Sequence, residues 1–120
     1  MKWDEILNVL IELEKSNSGI NATAIVSAEG LPIASTLSEG IDDTKIAAMT
    51  AALLSLAEIS VVEMKKGEFD QLYIKGNSGY LLVLQAGPHA VLTVSTSKDA
   101  RLGLILLECK RTCEKIKELL

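Results

Sequence analysis

The segment from Ile46 to Met64 has no polar side when it is wound as a helix, and this feature most limits the possible folds. At about 100° per residue, one stripe is the natural face for packing on a sheet and contains Ile46, Thr50, Leu53, Ala57, Val61 and Met64. The opposite side, where a solvated helix carries Lys and Glu, contains Ala48, Ala51, Ala52, Ser55, Ile59 and Val62. A helix that is apolar all round is normally buried, so the sequence predicts a second layer over this helix.

There are two candidates for that second layer, another element of the same chain or a protein partner. The remaining predicted helices are needed on the other face of the sheet, and a contiguous exposed apolar patch usually marks a protein interface. A self-association or partner surface is therefore the favoured interpretation. The charged residues Lys45, Glu58 and Glu63 are left on the flanks of this surface.

Turn residues divide the first third of the chain into a helix and a hairpin. Apolar residues recur at helical spacing from Met1 to Lys15, and the helix should end near Gly19. The β-branched and small residues of Ile20–Ser27 and Leu31–Leu37 predict two strands joined by a turn at Glu29-Gly30. Pro32 has no amide hydrogen to give to a ladder, so we expect it at a strand start or on an edge strand.

The remaining two thirds contain two helices and three strands. The start of the second helix is predicted from the N-cap chemistry and negative charge of Asp42, Asp43 and Thr44, and its end from the opposite signature of Lys65, Lys66 and Gly67. Three strands follow near Phe69–Lys75, Tyr80–Ala86 and Ala90–Thr96. Ser97 is predicted to cap the last helix, in which Cys109 and Cys113 lie on an apolar stripe and Gly103 should permit a close backbone approach.

Length and charge narrow the class of protein. The 120 residues suit one domain spanning residues 1–120, and a net charge of −4 without a basic block argues against nucleic-acid binding. The uncharged stretch from Gly76 to Ser97 is interrupted by Gly87-Pro88, which argues against a membrane span. The N-terminus does not resemble a signal peptide. We therefore expect a cytoplasmic protein with reduced cysteines and no direct membrane insertion.

Catalytic chemistry is not indicated by any motif. The chain has no glycine-rich phosphate-binding string, so no nucleotide cofactor is expected. His89 is the only histidine and is read as a turn residue, and Cys109 with Cys113 would supply only half of a zinc site. Arg101 and Arg111 are read as surface or paired charges rather than as arginine fingers. The sequence therefore predicts no enzyme, no cofactor and no metal site.

Three segments in this order resemble the roadblock/dynein-light-chain family, in its prokaryotic single-domain type. They are SAEGLPIAS (Ser27–Ser35), KIAAMTAALLSLAE (Lys45–Glu58) and ARLGLILLECKRTCEKI (Ala100–Ile116). The resemblance implies an α+β fold of order α-β-β-α-β-β-β-α, a profilin-like sandwich. Its five-stranded antiparallel sheet carries the second helix on one face and the first and last helices on the other.

The resemblance also implies a function, because roadblock proteins commonly act as non-catalytic platforms or regulators of Ras-like small GTPases. They dimerise through the second helix and the third strand, which here implies an interface of Ala48, Ala51, Ala52, Ser55, Ile59, Val62, Phe69, Gln71, Tyr73 and Lys75. The dimer is a homodimer or a heterodimer with another roadblock protein. Lys45, Glu58 and Glu63 are the implied GTPase-binding strip.

Two other functions remain open. The first is a structural adaptor in a larger motor or membrane-tethered complex, in which no GTPase is regulated. The second is a profilin-like ligand sensor, which would need a polar-lined pocket that this Ala- and Leu-rich sequence does not suggest.

Overall fold

The computed structural model describes residues 2–120, so Met1, the first residue of the predicted first helix, lies outside the described residues. In this range the elements are α1 (Lys2–Ser16), β1 (Ile20–Ser27), β2 (Pro32–Ser35), α2 (Asp43–Glu63), β3 (Gln71–Gly76), β4 (Gly79–Gln85), β5 (Ala90–Ser97) and α3 (Leu102–Leu119). The element order is the predicted one. The second strand is shorter than expected, and Phe69 precedes β3 instead of opening it.

The five strands form one sheet in the order β2-β1-β5-β4-β3, with antiparallel neighbours throughout. The edges are therefore β2 and β3. Pro32 opens the edge strand β2, which confirms its predicted position because a proline cannot donate to a ladder.

The two faces of the sheet carry different helices. On β5, Leu92 and Val94 belong to the core formed with α1 and α3, whereas Val91 packs with Leu54 of α2. Successive residues of a strand point to opposite faces, so this alternation separates the two helical layers. One helix on one face and two on the other confirm the predicted α+β, profilin-like architecture.

The first hairpin closes at the predicted glycine. Gly30 has φ 91°, in the left-handed region that glycine adopts readily. The Ser27 Oγ accepts a hydrogen bond of 3.0 Å from the Leu31 amide across the turn. This local bonding fixes where β1 ends and β2 begins.

Both ends of α2 fall at the predicted groups of residues. Of Asp42, Asp43 and Thr44, the N-cap is Asp42, whose Oδ1 accepts from the Thr44 amide at 2.9 Å. At the C-terminus, Lys65 with φ 57° and Gly67 with φ 90° both have left-handed backbones. The Lys66 amide donates to the Val61 carbonyl and the Lys65 amide to that of Val62, which is the Schellman pattern.

Two predictions about α3 are wrong. The residue before the helix is Arg101, which makes no capping side-chain hydrogen bond, because Ser97 is still part of β5. A Cβ added at Gly103 would meet nothing within 4 Å, so this glycine does not serve a close approach. The apolar stripe of α3 is confirmed, with Cys109 and Cys113 buried in the main core.

Candidate protein–protein interface

The sheet-facing side of α2 is rotated relative to the predicted stripe, of which only Thr50 is fully buried, while Ile46, Leu53, Ala57 and Val61 are half-buried. Its buried residues are Ala47, Thr50 and Leu54, and the Thr50 hydroxyl shares a 3.0 Å hydrogen bond with that of Thr93 on β5. Met64, predicted to continue this stripe, is 70% exposed because it follows the last helical residue. Thr50 therefore anchors the helix, and Met64 does not.

The outward side of α2 is apolar and exposed. Of the predicted interface residues on the helix, Ala48, Ala52, Ser55, Ile59 and Val62 are exposed. Ala51 is only half-buried, because it lies against the hairpin at Gly30 and forms the margin of this face.

Two larger side chains on this outward side were missed by the sequence reading. Leu56 is 63% exposed and Met49 is 39% exposed, both on the same side of the helix as Ala52. The outward face thus includes large as well as small apolar residues.

A groove continues the outward face towards β3. It has a volume of about 310 Å³ and is lined by Leu53, Leu56, Ala57, Ser60, Val61, Phe69, Gln71, Leu72 and Ile74. Leu72 pairs with Val83 and Ile74 with Leu81 across the β3–β4 ladder. Paired residues share a face, so both side chains lie on the α2 side of the sheet.

The predicted strand residues mostly point the other way. Gln71, Tyr73 and Lys75 alternate with Leu72 and Ile74, which places their side chains on the α1–α3 side. There the Gln71 amide donates to the Tyr73 hydroxyl. The predicted interface combined the outward side of α2 with strand residues whose side chains lie on the α1–α3 side of the sheet. The pleat of β3 therefore directs those strand side chains away from α2.

The outer edge of β3 has no neighbouring strand in residues 2–120, since β3 pairs only with β4. An exposed strand edge presents free amide and carbonyl groups that can pair with another strand. This edge runs beside the groove and the outward face of α2. Backbone pairing and apolar contact are therefore available on one continuous surface.

The three predicted charged residues are all exposed, but they do not form one strip. At about 100° per residue, Lys45 and Glu63 fall on the same line of the helix as Ala52, at its two ends. Glu58 lies about 120° away from that line, beside a recess that also contains Val62, Gly67, Glu68, Phe69 and Gln85.

The cysteines, the histidine and the surface arginine that could take part in catalysis are buried in the core, lie in a turn or form a surface ion pair. Burial raises the pKa of both Cys109 and Cys113 to about 12, with a smaller contribution from neighbouring negative charge. Thiols with so high a pKa are poor nucleophiles near neutral pH. The His89 carbonyl accepts from the Ala28 amide, and Arg111 pairs with Glu108 at 3.7 Å on the surface of α3.

Neither a metal cluster nor a buried charge is present in the part of the chain that the structure describes. Among residues 2–120, no three His, Cys, Asp or Glu side chains are placed to hold an ion. The buried polar residues of this range are all threonines. A polar depression of about 390 Å³ lies at the β3–β4 turn near Lys75, Asn77 and Lys98, and it is open to solvent.

By length and composition alone, α2 is apolar enough to cross a bilayer. In the structure, its inner side is packed on the sheet and tied to it by the Thr50–Thr93 hydrogen bond. The exposed side chains of its outward face supply much of its hydropathy. The stretch from Gly76 to Ser97, which was predicted not to span a membrane, contains β4 and β5.

Comparison with known proteins agrees with this architecture. Residues 6–96 match the Roadblock/LC7 domain, and the chain belongs to this family. An uncharacterized protein of Methanocaldococcus jannaschii is 38% identical over 109 residues, which cover 91% of this chain and 94% of that protein.

Two solved structures of other proteins have a similar fold. MglB in a tetrameric arrangement has a TM-score of 0.90 at 19% identity, covering 99% of this chain and 90% of MglB. Profilin IA of Acanthamoeba castellanii has a TM-score of 0.65 at 10% identity, covering 93% and 96%. At these identities the likeness concerns the fold, which is the profilin-like fold expected from the sequence.

Proposed function

We propose that this chain is one roadblock domain acting in the cytoplasm as a homodimeric, non-catalytic regulator or scaffold of a Ras-like small GTPase. The observation that carries the proposal is the exposed apolar side of α2, which continues through the groove to the free edge of β3. Such a surface is suited to a protein partner.

In the proposed dimer, two β3 edges pair and the two α2 helices cover each other. Ala48, Ala52, Ser55, Ile59 and Val62 form the helix contact, with Ala51 at its margin. Phe69 and Leu72 line the adjoining groove. Gln71, Tyr73 and Lys75 contribute the backbone of the pairing strand, while their side chains lie on the other side of the joined sheets.

The GTPase would bind beside the helix pair and not on it. Glu58 projects from the flank of α2, whereas Lys45 and Glu63 lie in line with the dimer contact. Regulation by such a platform requires only that it bind two conformations of the GTPase with different affinity. Arg101 and Arg111 belong to the opposite layer of the sandwich, which argues against an inserted arginine finger.

The dimer is tested by Ala52→Arg, which places a charge in the centre of the helix contact. Burying an unpaired charge costs several kcal/mol, so we expect a monomer by light scattering. Leu104→Arg is the matched control, because it adds the same charge at an exposed apolar position of α3. Wild-type protein that is monomeric at micromolar concentration would refute the dimer.

The GTPase function is tested with purified Ras-like GTPases from the same genome, loaded with GTP. We expect no phosphate release by this protein alone and an altered rate when it is added to its GTPase. Glu58→Lys should weaken the effect and leave the dimer intact, whereas Arg101→Ala and Arg111→Ala should not. Loss of stimulation in either arginine variant with unchanged binding would favour a finger mechanism, and GTP hydrolysis by the isolated protein would exclude the platform.

A structural adaptor is the second candidate, favoured by further exposed apolar residues on the α1–α3 layer. Trp3, Leu104 and Leu107 are each about half exposed there. An adaptor would bind other roadblock-like subunits and leave the hydrolysis rate of every GTPase tested unchanged.

A further inference from the structure

The sequence K-x-N-S-G occurs twice in the chain, at residues 15–19 and 75–79. The first copy joins α1 to β1, and the second spans the turn between β3 and β4. Both copies lie at the same end of the sheet, because β1 and β4 begin there while β3 and β5 end there. Each copy supplies a lysine, an asparagine, a serine and a glycine to that end.

The glycine of each copy holds its turn against the segment at the end of β5. A Cβ added at Gly79 would overlap the Thr96 carbonyl oxygen, and one at Gly19 would lie 3.0 Å from the Ala100 Cβ. The Ser97 amide also donates to the Gly19 carbonyl at 2.8 Å. Side chains at the two glycines would prevent these approaches, so the two turns flank residues 97–101 closely.

Basic side chains collect at this end of a chain whose net charge is −4. Residues 15–19, 75–79 and 97–101 contain four basic residues, Lys15, Lys75, Lys98 and Arg101, and one acidic residue, Asp99. All five are exposed. The one ion pair within residues 2–120 lies on α3, so the four basic groups here have no carboxylate partner in that range. The three segments therefore carry an excess of positive charge, which attracts anions.

The polar depression of about 390 Å³ lies within this end, between Lys75, Gly76, Asn77, Tyr80, Lys98 and Asp99. Lys75 and Tyr80 are paired between β3 and β4, and the Lys75 Nζ lies 6.0 Å from the centre of the Tyr80 ring. A cation is attracted to the face of an aromatic ring, so this contact holds the Lys75 ammonium group at the depression. Lys98 supplies a second ammonium group from the segment after β5.

The lining combines two kinds of polar group. The lysine ammonium groups only donate hydrogen bonds, and their charge suits phosphate oxygens. The Asp99 carboxylate only accepts, and the Asn77 amide does both. Asp99 would repel a bare phosphate, whereas a phosphorylated molecule with hydroxyl groups has a partner for every group of the lining.

We propose that this depression binds a phosphate ester of a polyol, with the phosphate between Lys75 and Lys98 and a hydroxyl group donating to Asp99. The volume lies within the range of about 300–1,000 Å³ that is typical of small-molecule pockets. In the proposed dimer Lys75 contributes only its backbone to strand pairing, so its side chain remains available. The site therefore depends neither on the dimer nor on the GTPase.

The test is an NMR titration of the full chain with ribose 5-phosphate, inorganic phosphate and ribose. We expect ribose 5-phosphate to shift the amide resonances of residues 75–80 and 97–101 saturably, and to bind more tightly than either of its halves. Lys75→Gln and Lys98→Gln should each raise its dissociation constant at least about tenfold, because each removes a charge-assisted hydrogen bond. Lys115→Gln, exposed on α3, is the matched control and should change nothing.

Asp99→Asn separates the two parts of the ligand. Removing the carboxylate removes its repulsion of phosphate, so inorganic phosphate should bind more tightly to this variant than to the wild type. The preference for ribose 5-phosphate over inorganic phosphate should fall, because the charged acceptor for the hydroxyl group is lost. The exposed positions of Lys75, Lys98 and Asp99 make unfolding of the variants unexpected, and far-ultraviolet circular dichroism checks this.

Polyol phosphates occur both free in solution and as lipid headgroups, and vesicles distinguish these sources. Sedimentation with phosphatidylglycerol vesicles but not with phosphatidylcholine vesicles, abolished by Lys98→Gln and by excess ribose 5-phosphate, would assign the site to a lipid headgroup. Binding of ribose 5-phosphate without such sedimentation would assign it to a soluble ester. Both results support the site.

Three results would overturn it. The first is the absence of resonance shifts with ribose 5-phosphate and with inorganic phosphate. The second is shifts that persist unchanged in both lysine variants or are equally large around Lys115. The third is inorganic phosphate binding as tightly as ribose 5-phosphate, which would remove the polyol from the ligand. None of these results bears on the surface formed by α2 and β3, so the proposed function would stand or fall separately.

Discussion

The buried hydroxyl pair between Thr50 and Thr93 is the most specific link between α2 and the sheet. Thr50 is fully buried, Thr93 is 4% exposed, and their hydroxyl oxygens are 3.0 Å apart. Thr50→Val keeps the shape of the side chain and removes one partner, which leaves the Thr93 hydroxyl buried without this bond. An unsatisfied buried hydroxyl costs about 1–3 kcal/mol, so we expect Thr50→Val to lose stability within that range.

The two single variants should not be equivalent. In Thr93→Val the hydroxyl left behind is that of Thr50, and a threonine in a helix can bond the carbonyl four residues earlier, here that of Ile46. The strand residue Thr93 has no such local alternative when Thr50 is replaced. Thr50→Val should therefore be the more damaging of the two.

The double variant Thr50→Val/Thr93→Val removes both hydroxyls and with them the desolvation penalty. Replacing both partners with apolar groups of the same shape can be nearly neutral, so it should be more stable than Thr50→Val. Urea unfolding followed by far-ultraviolet circular dichroism measures the cycle, at one protein concentration because dimerisation affects apparent stability. Additive losses, with the double variant the least stable, would refute this interpretation of the contact.

Two further predictions concern the core and the end of α2. Burial raises the pKa of the Cys109 and Cys113 thiols to about 12, against 9.0 for an exposed thiol. As pH rises from 9.0 towards 12, the unfolded chain therefore binds fewer protons than the folded chain, and the free energy of unfolding falls. In a Cys109→Ala/Cys113→Ala protein, the free energy of unfolding measured by denaturant titration should fall less steeply with pH. Lys65→Gly should raise the melting temperature, because glycine adopts the left-handed backbone of this position without strain, and the free energy of unfolding should increase by about 1 kcal/mol. Lys65→Ala keeps the strain and should leave the melting temperature no higher than that of the wild type.

The fold could be predicted because periodicity and turn residues are strong local signals. Glu29-Gly30 located the first hairpin, and Asp42, Asp43 and Thr44 together located the start of α2. The ends that were predicted incorrectly depend on longer-range bonding. Ser97 continues β5 because its amide donates to the carbonyl of Gly19, which immediately precedes β1, and no local pattern reveals that bond.

The candidate interface was predicted only in part, because its α2 side follows from local pattern and its β3 side depends on strand pairing. The exposed apolar side of α2 follows from composition and helical period alone, because it needs no knowledge of the sheet. Leu72 and Ile74 were missed because the side of β3 that joins the groove depends on its register with β4. A period of two residues gives two equivalent alternatives in an apolar strand, and only pairing decides between them.

The position of charge within α2 distinguishes its two sides. Acidic residues near the start of a helix and basic residues near its end stabilise it through the helix dipole. Asp43 follows that rule, but Lys45 and Glu63 reverse it on the one line that faces away from the sheet. At exposed sites each reversed charge costs the helix about 0.3–1 kcal/mol. The outward side of α2 therefore lowers the stability of the helix, whereas its inner side is held to the sheet by the buried hydrogen bond between Thr50 and Thr93.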